Sequence, residues 1–348
     1  MNLKRLLKHD NTPILLVFLG MILVVFLVEL FAVRGGDLSS VAFVRPMNVS
    51  NALMQVAITG ILAIGMTLVM ISGGIDLSVG QMMSFIGVLT AYLIRNTELG
   101  EGTIMLVIIV VAVSFELLMG FIISRTTLEP FIISLGFMSI YRGFTYVITG
   151  GRELSIHGSF SFLGQSYVGV TQMLRFGMPV ILFVGLVVVV WLLSRYTKFG
   201  RRVYALGDNE NAAYLAGIDV KNFKLMIYGL NGFFVAIASM ALASRLGTGN
   251  PLMGSGREIE VIAAVVVGGT ALSGGKGNIW GTFIGALLLG IISNALNILG
   301  VSPYWQFIMR GLLIIGAVVI GFLSSTRSFS LFSFLKRGSK QEEPKSVG

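Results

Sequence analysis

Residues 52–95 of the chain read ALMQVAITGILAIGMTLVMISGGIDLSVGQMMSFIGVLTAYLIR. This stretch holds two apolar runs, 52–71 and 79–95, on either side of a glycine-rich turn. An α-helix needs about 20 apolar residues, within a range of roughly 17–25, to cross the hydrocarbon core of a bilayer. The stretch therefore predicts two membrane-spanning helices joined by a short turn.

The composition of the whole chain indicates a membrane protein as well. Of its 348 residues, 55% are hydrophobic and 12% are charged. An ordinary soluble domain carries about 25% charged residues. The charge here is too sparse to cover a water-facing surface of this size, which excludes a soluble enzyme. The abundance of large apolar residues excludes a disordered chain, and the absence of Cys excludes disulfides and thiolate metal sites.

The same length rule, applied along the chain, predicts an all-α polytopic membrane protein with about ten transmembrane helices. Its parts are a cytoplasmic N-terminus (1–12), a transmembrane domain (13–323) and a cytoplasmic tail (324–348). The eighth span is short, and Arg142 breaks the apolar run of the fifth. The predicted spans are 13–33, 52–71, 79–95, 103–124, 128–148, 178–194, 225–245, 259–272, 278–299 and 306–323.

Basic side chains are unevenly distributed over the segments between these spans. If the N-terminus is cytoplasmic, most of the 25 Lys and Arg residues lie in cytoplasmic segments, the largest of which is 195–224. Such segments carry an excess of Lys and Arg in membrane proteins. Both termini are therefore expected in the cytoplasm. The formal charge of +9 reflects orientation and does not indicate nucleic-acid binding.

The large cytoplasmic segment contains DNENAAYLAGI, residues 208–218, which predicts a short helix. Asp208 suits the N-cap, Gly217 suits a left-handed residue after the helix, and Ile218 suits a contact back onto it. A helix of this length is unstable alone. Two interpretations remain open on these residues alone: an ordinary capped helix within a loop, or a helix that docks on a partner.

Two glycine-rich turns are predicted on the cytoplasmic side. In SGGIDLSVGQ, residues 72–81, Ser78 and Gln81 have the spacing of a capping box. Simple capping of a helical hairpin and an irregular turn that lines a pathway both remain open. The second turn, GGTALSGGKG (268–277), fails as a phosphate-binding loop because Thr270 stands where that motif requires Gly. The two turns share the sequence pattern SGGxxxxxG. An internal duplication and coincidence both remain open as its explanation.

Polar groups within the predicted spans are candidate functional residues. Glu116 lies in the middle of the fourth span, where a hydrogen-bonded packing role and a proton relay are the alternatives. No metal-ligand spacing, catalytic triad or nucleophile turn is present, so neither a catalytic nor a metal site is predicted. Candidate residues for a translocation path are Asn51, Gln55, Phe85, Phe131, Asn231 and Asn294.

Four blocks of sequence carry a resemblance to a known family. They are GGIDLSVG (73–80), TKFGRRVYALGDNENAAYLAGIDV (197–220), VVGGTALSGGKGNIWGTFIGA (266–286) and VSPYWQ (301–306). Together they resemble the ribose/galactose-type sugar permeases, which are membrane subunits of bacterial ABC importers. The resemblance runs from about Asn51 to Arg327.

The resemblance implies a multi-pass subunit of the bacterial inner membrane that has no enzymatic activity and no cofactor of its own. Its implied partners are a second permease subunit, identical or similar, a cytoplasmic ATPase that holds ATP and Mg²⁺, and a periplasmic sugar-binding protein. The implied function is monosaccharide import by alternating access. The alternative function, from the residues alone, is a proton-coupled secondary carrier that uses Glu116.

The resemblance also assigns roles to residues of two blocks. Those implied in coupling to the ATPase are Arg201, Arg202, Asp208, Asn209, Glu210, Asn211, Ala212, Ala213, Leu215, Gly217 and Ile218. Those of the family's motif turn are Gly73, Gly74, Asp76, Ser78, Gly80 and Gln81.

Overall fold

The computed structural model describes residues 12–33, 36–37, 41–156, 160–169, 175–302, 304–309, 311–312 and 315–316. The predicted cytoplasmic tail, nearly all of the N-terminal segment and much of the tenth predicted span lie outside these residues. Helices account for most of the described chain, which confirms the all-α prediction.

The elements follow one another in a simple order. Their bounds are α1 (Thr12–Val28, continued by a π-helical turn, Glu29–Val33), α2 (Pro46–Ile71), α3 (Val79–Asn96), α4 (Glu101–Arg125), α5 (Pro130–Thr149), β1 (Leu154–Ser155), α6 (Phe162–Gln165), β2 (Tyr167–Gly169), β3 (Arg175–Gly177), α7 (Met178–Tyr196), α8 (Lys198–Asp208), α9 (Glu210–Leu215), α10 (Val220–Leu246), β4 (Thr248–Gly249), α11 (Arg257–Val267) and α12 (Ile279–Ile298).

The helices agree closely with the predicted spans. Within the described residues, six helices (α2, α4, α5, α7, α10 and α12) are long and apolar enough to cross a membrane. Helix α5 continues through Arg142 without a break, which confirms the fifth predicted span although Arg142 interrupts its apolar run. The Arg142 guanidinium lies 5.9 Å from the centre of the Tyr146 ring, a contact that satisfies the cation at the protein surface.

Two long helices form the centre of the bundle. Helix α2 is buried along nearly its whole length from Met54 to Ile71, and α10 is buried from Ile227 to Ser244. Helices α4, α5 and α7 instead expose large apolar side chains on one side, such as Val147, which is 82% exposed. Apolar side chains that face outward in this way are expected where a helix contacts lipid. Lipid-facing helices therefore surround a central pair that touches only protein.

Each central helix is followed by a segment that turns back into the bundle. After α10 ends at Gly247, the chain runs back along α3, where the Gly254 amide donates a hydrogen bond to Ser84 Oγ at 2.9 Å. Helix α11 then begins at Arg257, and the Glu258 side chain lies against Gly80 near the start of α3. The first turns of α3 and α11 therefore meet inside the protein. Broken helices whose N-termini meet in this way occur at the binding sites of membrane transporters.

On the opposite side of the bundle from α8 and α9, short elements cover the end of α10. Strand β1 pairs with β4, and β2 pairs with β3, both antiparallel. The Gly164 amide of α6 donates to Ser244 Oγ at 3.0 Å, and the Ser244 hydroxyl donates to the Phe160 carbonyl at 2.7 Å. The described residues of the segment between α5 and α7 are therefore anchored to a central helix.

The close packing of the two broken helices gives a stability prediction. A Cβ atom on Gly254 would overlap the Gly80 carbonyl and lie 3.0 Å from Ser84 Oγ. We expect Gly254→Ala to lower the free energy of unfolding by about 1–3 kcal/mol, because the extra atom forces two backbones apart. Denaturant unfolding of the purified protein in mixed micelles measures this change.

Gly136→Ala is the matched control, since Gly136 lies within α5 and a Cβ there meets nothing within 4 Å. Its free energy of unfolding should stay the same or rise by up to about 1 kcal/mol, because Ala is the better helix former. Equal losses of stability in the two variants would contradict the close approach of Gly254 to Gly80.

Candidate functional site

Helix α9 is a six-residue helix that is closed at both ends. At its start, the Ala212 amide donates to Asn209 Oδ1 at 2.9 Å. At its end, Gly217 has φ +83°, and the Ile218 amide donates to the Ala213 carbonyl at 3.1 Å. This pattern is a Schellman motif. The prediction for Gly217 and Ile218 is confirmed, whereas the N-cap is Asn209, because Asp208 is the last residue of α8.

Side chains fix α9 against the bundle. Ala213 is buried, and Ile218 packs against the main apolar core. Glu210 Oε2 lies 2.7 Å from Nζ of Lys224 in the first turns of α10. An ion pair as exposed as this one contributes little to stability. The ion pair instead fixes the position of α9, because it joins the start of α9 to one of the two central helices.

The outer face of α9 exposes apolar side chains to solvent. Tyr214 is 70% exposed and Leu215 is 84% exposed, although both are large apolar residues. Arg201 and Arg202 of the preceding helix are exposed as well. A projecting apolar tip flanked by cations is typical of a surface that docks on another protein. The remaining predicted coupling residues, Asp208, Asn211 and Ala212, are exposed on the same segment.

Behind α9, three of the sequence blocks meet in a contact that we call the glycine junction, formed by Ile71, Gly73, Gly207, Gly274 and Gly275. The Gly275 amide donates to the Ile71 carbonyl at 2.9 Å. A Cβ atom on Gly207 would overlap the Ile71 carbonyl oxygen and lie 2.6 Å from the backbone nitrogen of Gly275. The end of α8 therefore rests directly on the end of the central helix α2.

From the junction the chain enters the bundle and reaches Asp76, which is fully buried. Its Oδ1 accepts hydrogen bonds from the Ser78 amide at 2.8 Å and from the Ser78 hydroxyl at 2.6 Å. Its Oδ2 accepts one from Nδ2 of Asn231 at 2.8 Å. Asn231 lies about 16 Å along α10 from the first residue of that helix. The motif turn therefore penetrates the bundle from the edge where α8 and α9 lie.

The predicted capping box at the start of α3 was wrong. Ser78 occupies the N-cap position but makes no capping hydrogen bond with its side chain, because its hydroxyl donates to Asp76. Gln81 is half-buried within α3. The amide of Leu77 donates to Ser134 Oγ of α5 at 3.0 Å. The motif turn is thus held by side chains of other helices rather than by its own capping residues.

A second carboxyl group lies beside Asp76. Glu116 of α4 is fully buried next to Asp76 and Asn231, and neither of its oxygens has a hydrogen-bond donor among the described residues. A charged carboxylate without a donor is costly in a membrane interior. Burial without a donor therefore opposes a charge on Glu116. Together, Asp76, Ser78, Glu116 and Asn231 form what we call the polar cluster.

Comparison with known proteins identifies the family. A family model described as a branched-chain amino acid transport system permease component matches residues 48–318. The chain belongs to this family. The permease is 39% identical over 308 residues to the ribose import permease protein RbsC of Bacillus subtilis, a match that covers 87% of this chain and 91% of that protein. No solved structure matches it.

Further relatives carry names that refer to ribose and to a second sugar, D-allose. The permease is 36% identical over 273 residues to the ribose import permease protein RbsC of Escherichia coli, which covers 78% of this chain and 85% of that protein. It is 35% identical over 304 residues to the D-allose transport system permease protein AlsC of Escherichia coli, covering 86% and 91% of the two chains. These relatives confirm the resemblance to sugar permeases of ABC importers and a multi-pass location in the inner membrane.

The residues predicted for a translocation path lie in separate places in the permease. Asn51 and Phe131 are exposed, and Gln55 is half-buried. Phe85 is buried within an aromatic group, with its ring centre 5.4 Å from that of Phe115. Asn231 belongs to the polar cluster. Asn294 exchanges two hydrogen bonds with Asn48, each 2.9 Å long.

Several functional candidates had no signal in the sequence pattern. The bond between Asp76 and Asn231 joins residues 155 positions apart. Gly207 and Lys224 gain their roles only through the tertiary contacts of α8 and α10. Asp76, Ser78, Glu116 and Asn231 were each candidates from the sequence, but nothing in the sequence showed that they lie together.

The polar cluster gives a second stability prediction. In Asn231→Leu, Oδ2 of Asp76 loses its donor while the volume at the site is nearly preserved. We expect the free energy of unfolding to fall by about 1–3 kcal/mol, the cost of a buried acceptor left unpaired. Denaturant unfolding in micelles measures the change. Asn51→Leu at an exposed position is the control, and an equal effect there would show that the buried hydrogen bond is not the cause.

Proposed function

We propose that the permease is the membrane subunit of an ABC importer that carries a monosaccharide across the bacterial inner membrane. A separate cytoplasmic subunit hydrolyses ATP, holds the Mg²⁺ ion and supplies the energy. The observation that carries the proposal is the exposed tip of α9, with Tyr214 and Leu215 projecting from a helix that is fixed to the bundle. The sugar permeases to which the chain is similar support the substrate class.

The energy of ATP binding reaches the bundle through α9 in this proposal. The ATPase holds Tyr214 and Leu215 in a groove, and Arg201 and Arg202 pair with acidic groups at its edge. When the groove moves, α9 moves with it. The ion pair between Glu210 and Lys224 passes the displacement to α10, and Gly207 passes it to the end of α2.

Alternating access then follows from the two broken helices. A displacement of the glycine junction moves the motif turn, and the motif turn leads directly into the start of α3. The start of α3 packs against the segment that leads into α11, at Gly80 and Gly254. The first turns of the two helices therefore move together. Packed interfaces of this kind switch between discrete arrangements rather than deforming gradually.

The opposite surface receives the substrate. A periplasmic binding protein docks over the elements between α5 and α7, where α6 and the two small sheets cover the end of α10. A second permease subunit, identical or similar, completes the pathway within the membrane. The permease forms and breaks no covalent bond, and it binds no cofactor of its own.

The tip of α9 gives a direct test. We expect Leu215→Asp to reduce sugar uptake and ATPase stimulation at least tenfold, because a carboxylate replaces an apolar anchor at the centre of the contact. Thermal unfolding of the purified permease should stay unchanged, since the Leu215 side chain is 84% exposed. Uptake by reconstituted vesicles and ATP hydrolysis by the assembled complex are the measurements.

Leu99→Asp is the matched control, because Leu99 is also exposed and lies between α3 and α4 at the other side of the bundle. It should keep uptake within about twofold of the unmodified permease. Full uptake by Leu215→Asp would refute the docking role of α9.

The alternative function is a proton-coupled carrier, and the buried pair of carboxyl groups makes this alternative testable. Glu116→Gln preserves volume and removes the titratable group, so an ATP-driven permease should keep uptake within about twofold. A carrier that moves a proton through Glu116 would lose coupled uptake entirely. Uptake is measured with ATP maintained and a protonophore present, and its loss under those conditions would favour the alternative.

A further inference from the structure

A cavity of about 590 Å³ lies on the α8–α9 side of the bundle, apart from α9 and the glycine junction. It is enclosed by the end of α7, by α8, and by the segment that joins α11 to α12. Its lining residues are Trp191, Ser194, Arg195, Tyr204, Gly268, Gly269, Lys276, Gly277, Asn278 and Ile279.

The charges around this cavity suit an anion. Arg195 and Lys276 both line it, and no Asp or Glu is among the lining residues. Within the described part of the chain, neither cation has a carboxylate oxygen within 4.0 Å. The first turn of α12, at Ile279, forms one wall, and the positive end of a helix dipole favours an anion there.

Hydrogen-bonding groups are present beside the two cations. Ser194 Oγ is buried and has no hydrogen-bond partner among the described residues, so a donor is left over at the cavity wall. The Tyr204 hydroxyl donates to the Gly277 carbonyl at 2.9 Å. Burial raises the pKa of the Tyr204 phenol, so this side chain adds no negative charge. The cavity therefore offers an anion two cations and one unused hydroxyl.

Aromatic side chains place the cavity at the level of lipid headgroups. The rings of Trp191 and Trp280 lie 6.1 Å apart, and those of Trp191 and Tyr196 lie 5.8 Å apart. Trp and Tyr concentrate at the interface between membrane and water. Next to them, Val189 and Leu192 of α7 are 50% and 44% exposed. The exposed side of α7 therefore offers an apolar surface to an acyl chain.

We propose that this cavity binds the phosphate ester of an anionic phospholipid headgroup, with Arg195 and Lys276 as its cationic ligands and Ser194 as a hydrogen-bond donor. The acyl chains lie along the exposed face of α7. A lipid bound here ties the end of α7 and the side of α8 to the membrane surface. Neither the family assignment nor the proposed transport function requires this site.

The test uses the full-length permease, purified in a neutral detergent, and native mass spectrometry of bound lipid. We expect one phosphatidylglycerol to bind more tightly than phosphatidylcholine. In the double variant Arg195→Gln with Lys276→Gln, the dissociation constant for phosphatidylglycerol should rise about tenfold or more, because each basic residue near an anionic lipid contributes to binding. In Ser194→Ala, which keeps both charges, it should rise severalfold.

The control is Lys198→Gln with Lys221→Gln, which removes the same charge from exposed positions on the same side of the bundle that do not line the cavity. Its dissociation constant should stay within about twofold. Retention of the normal unfolding temperature shows that each variant is folded. If the cavity variant and the control bind phosphatidylglycerol equally, the proposal is overturned.

Competition with soluble phosphate compounds shows whether the site binds a lipid headgroup or a soluble phosphate. Inorganic phosphate and glycerol 3-phosphate at millimolar concentration should leave phosphatidylglycerol bound, because they lack the acyl chains that contact α7. Displacement of the lipid by either would assign the site to a soluble phosphate and overturn the lipid assignment. If the cavity variant keeps its lipid but loses the ATP-binding subunit, the surface is a protein interface and the proposal is overturned.

Discussion

The hydrogen bonds of the Asp76 carboxylate are the interaction on which the interior of this permease depends. Backbone groups within a membrane must be satisfied inside the protein, so non-helical chain is tolerated there only where other elements cover it. The motif turn meets this requirement because Asp76 accepts from Ser78 and Asn231, while the Leu77 amide donates to Ser134. Three helices thus hold one irregular segment.

The consequence of this arrangement is that α3 starts inside the bundle. Its first turn is then available to pack against the returning segment at Gly254, which places the start of α11 at the same level. Glu116 fits the same logic, since a second charge beside Asp76 would oppose burial of both groups. The polar cluster thereby connects α3, α4 and α10 around one buried group.

Much of this architecture was predictable from the sequence, and the reasons are local. Span length and hydropathy predicted the helices, and Gly217 with Ile218 predicted the end of α9, because left-handed geometry and a neighbouring apolar contact are encoded within a few residues. The partner of Asp76 was not predictable, since Asn231 lies 155 positions away on another helix. Ser78 was misassigned because its hydroxyl donates to Asp76, two residues earlier, and Asp76 is in turn held by Asn231 of another helix. The role of the residues predicted for a translocation path stays a prediction, since polarity alone does not specify which side of a helix faces a pathway.

The proposed docking of α9 on an ATP-binding subunit is tested most directly by site-directed cross-linking. Because the chain contains no Cys, Leu215→Cys introduces a single thiol at the exposed tip, to which a short photoreactive probe is attached. In the assembled complex, illumination should join the permease to the ATP-binding subunit, whereas the same probe at Leu99→Cys should leave the two subunits separate. An intact complex that gives no cross-link from position 215 would contradict the account.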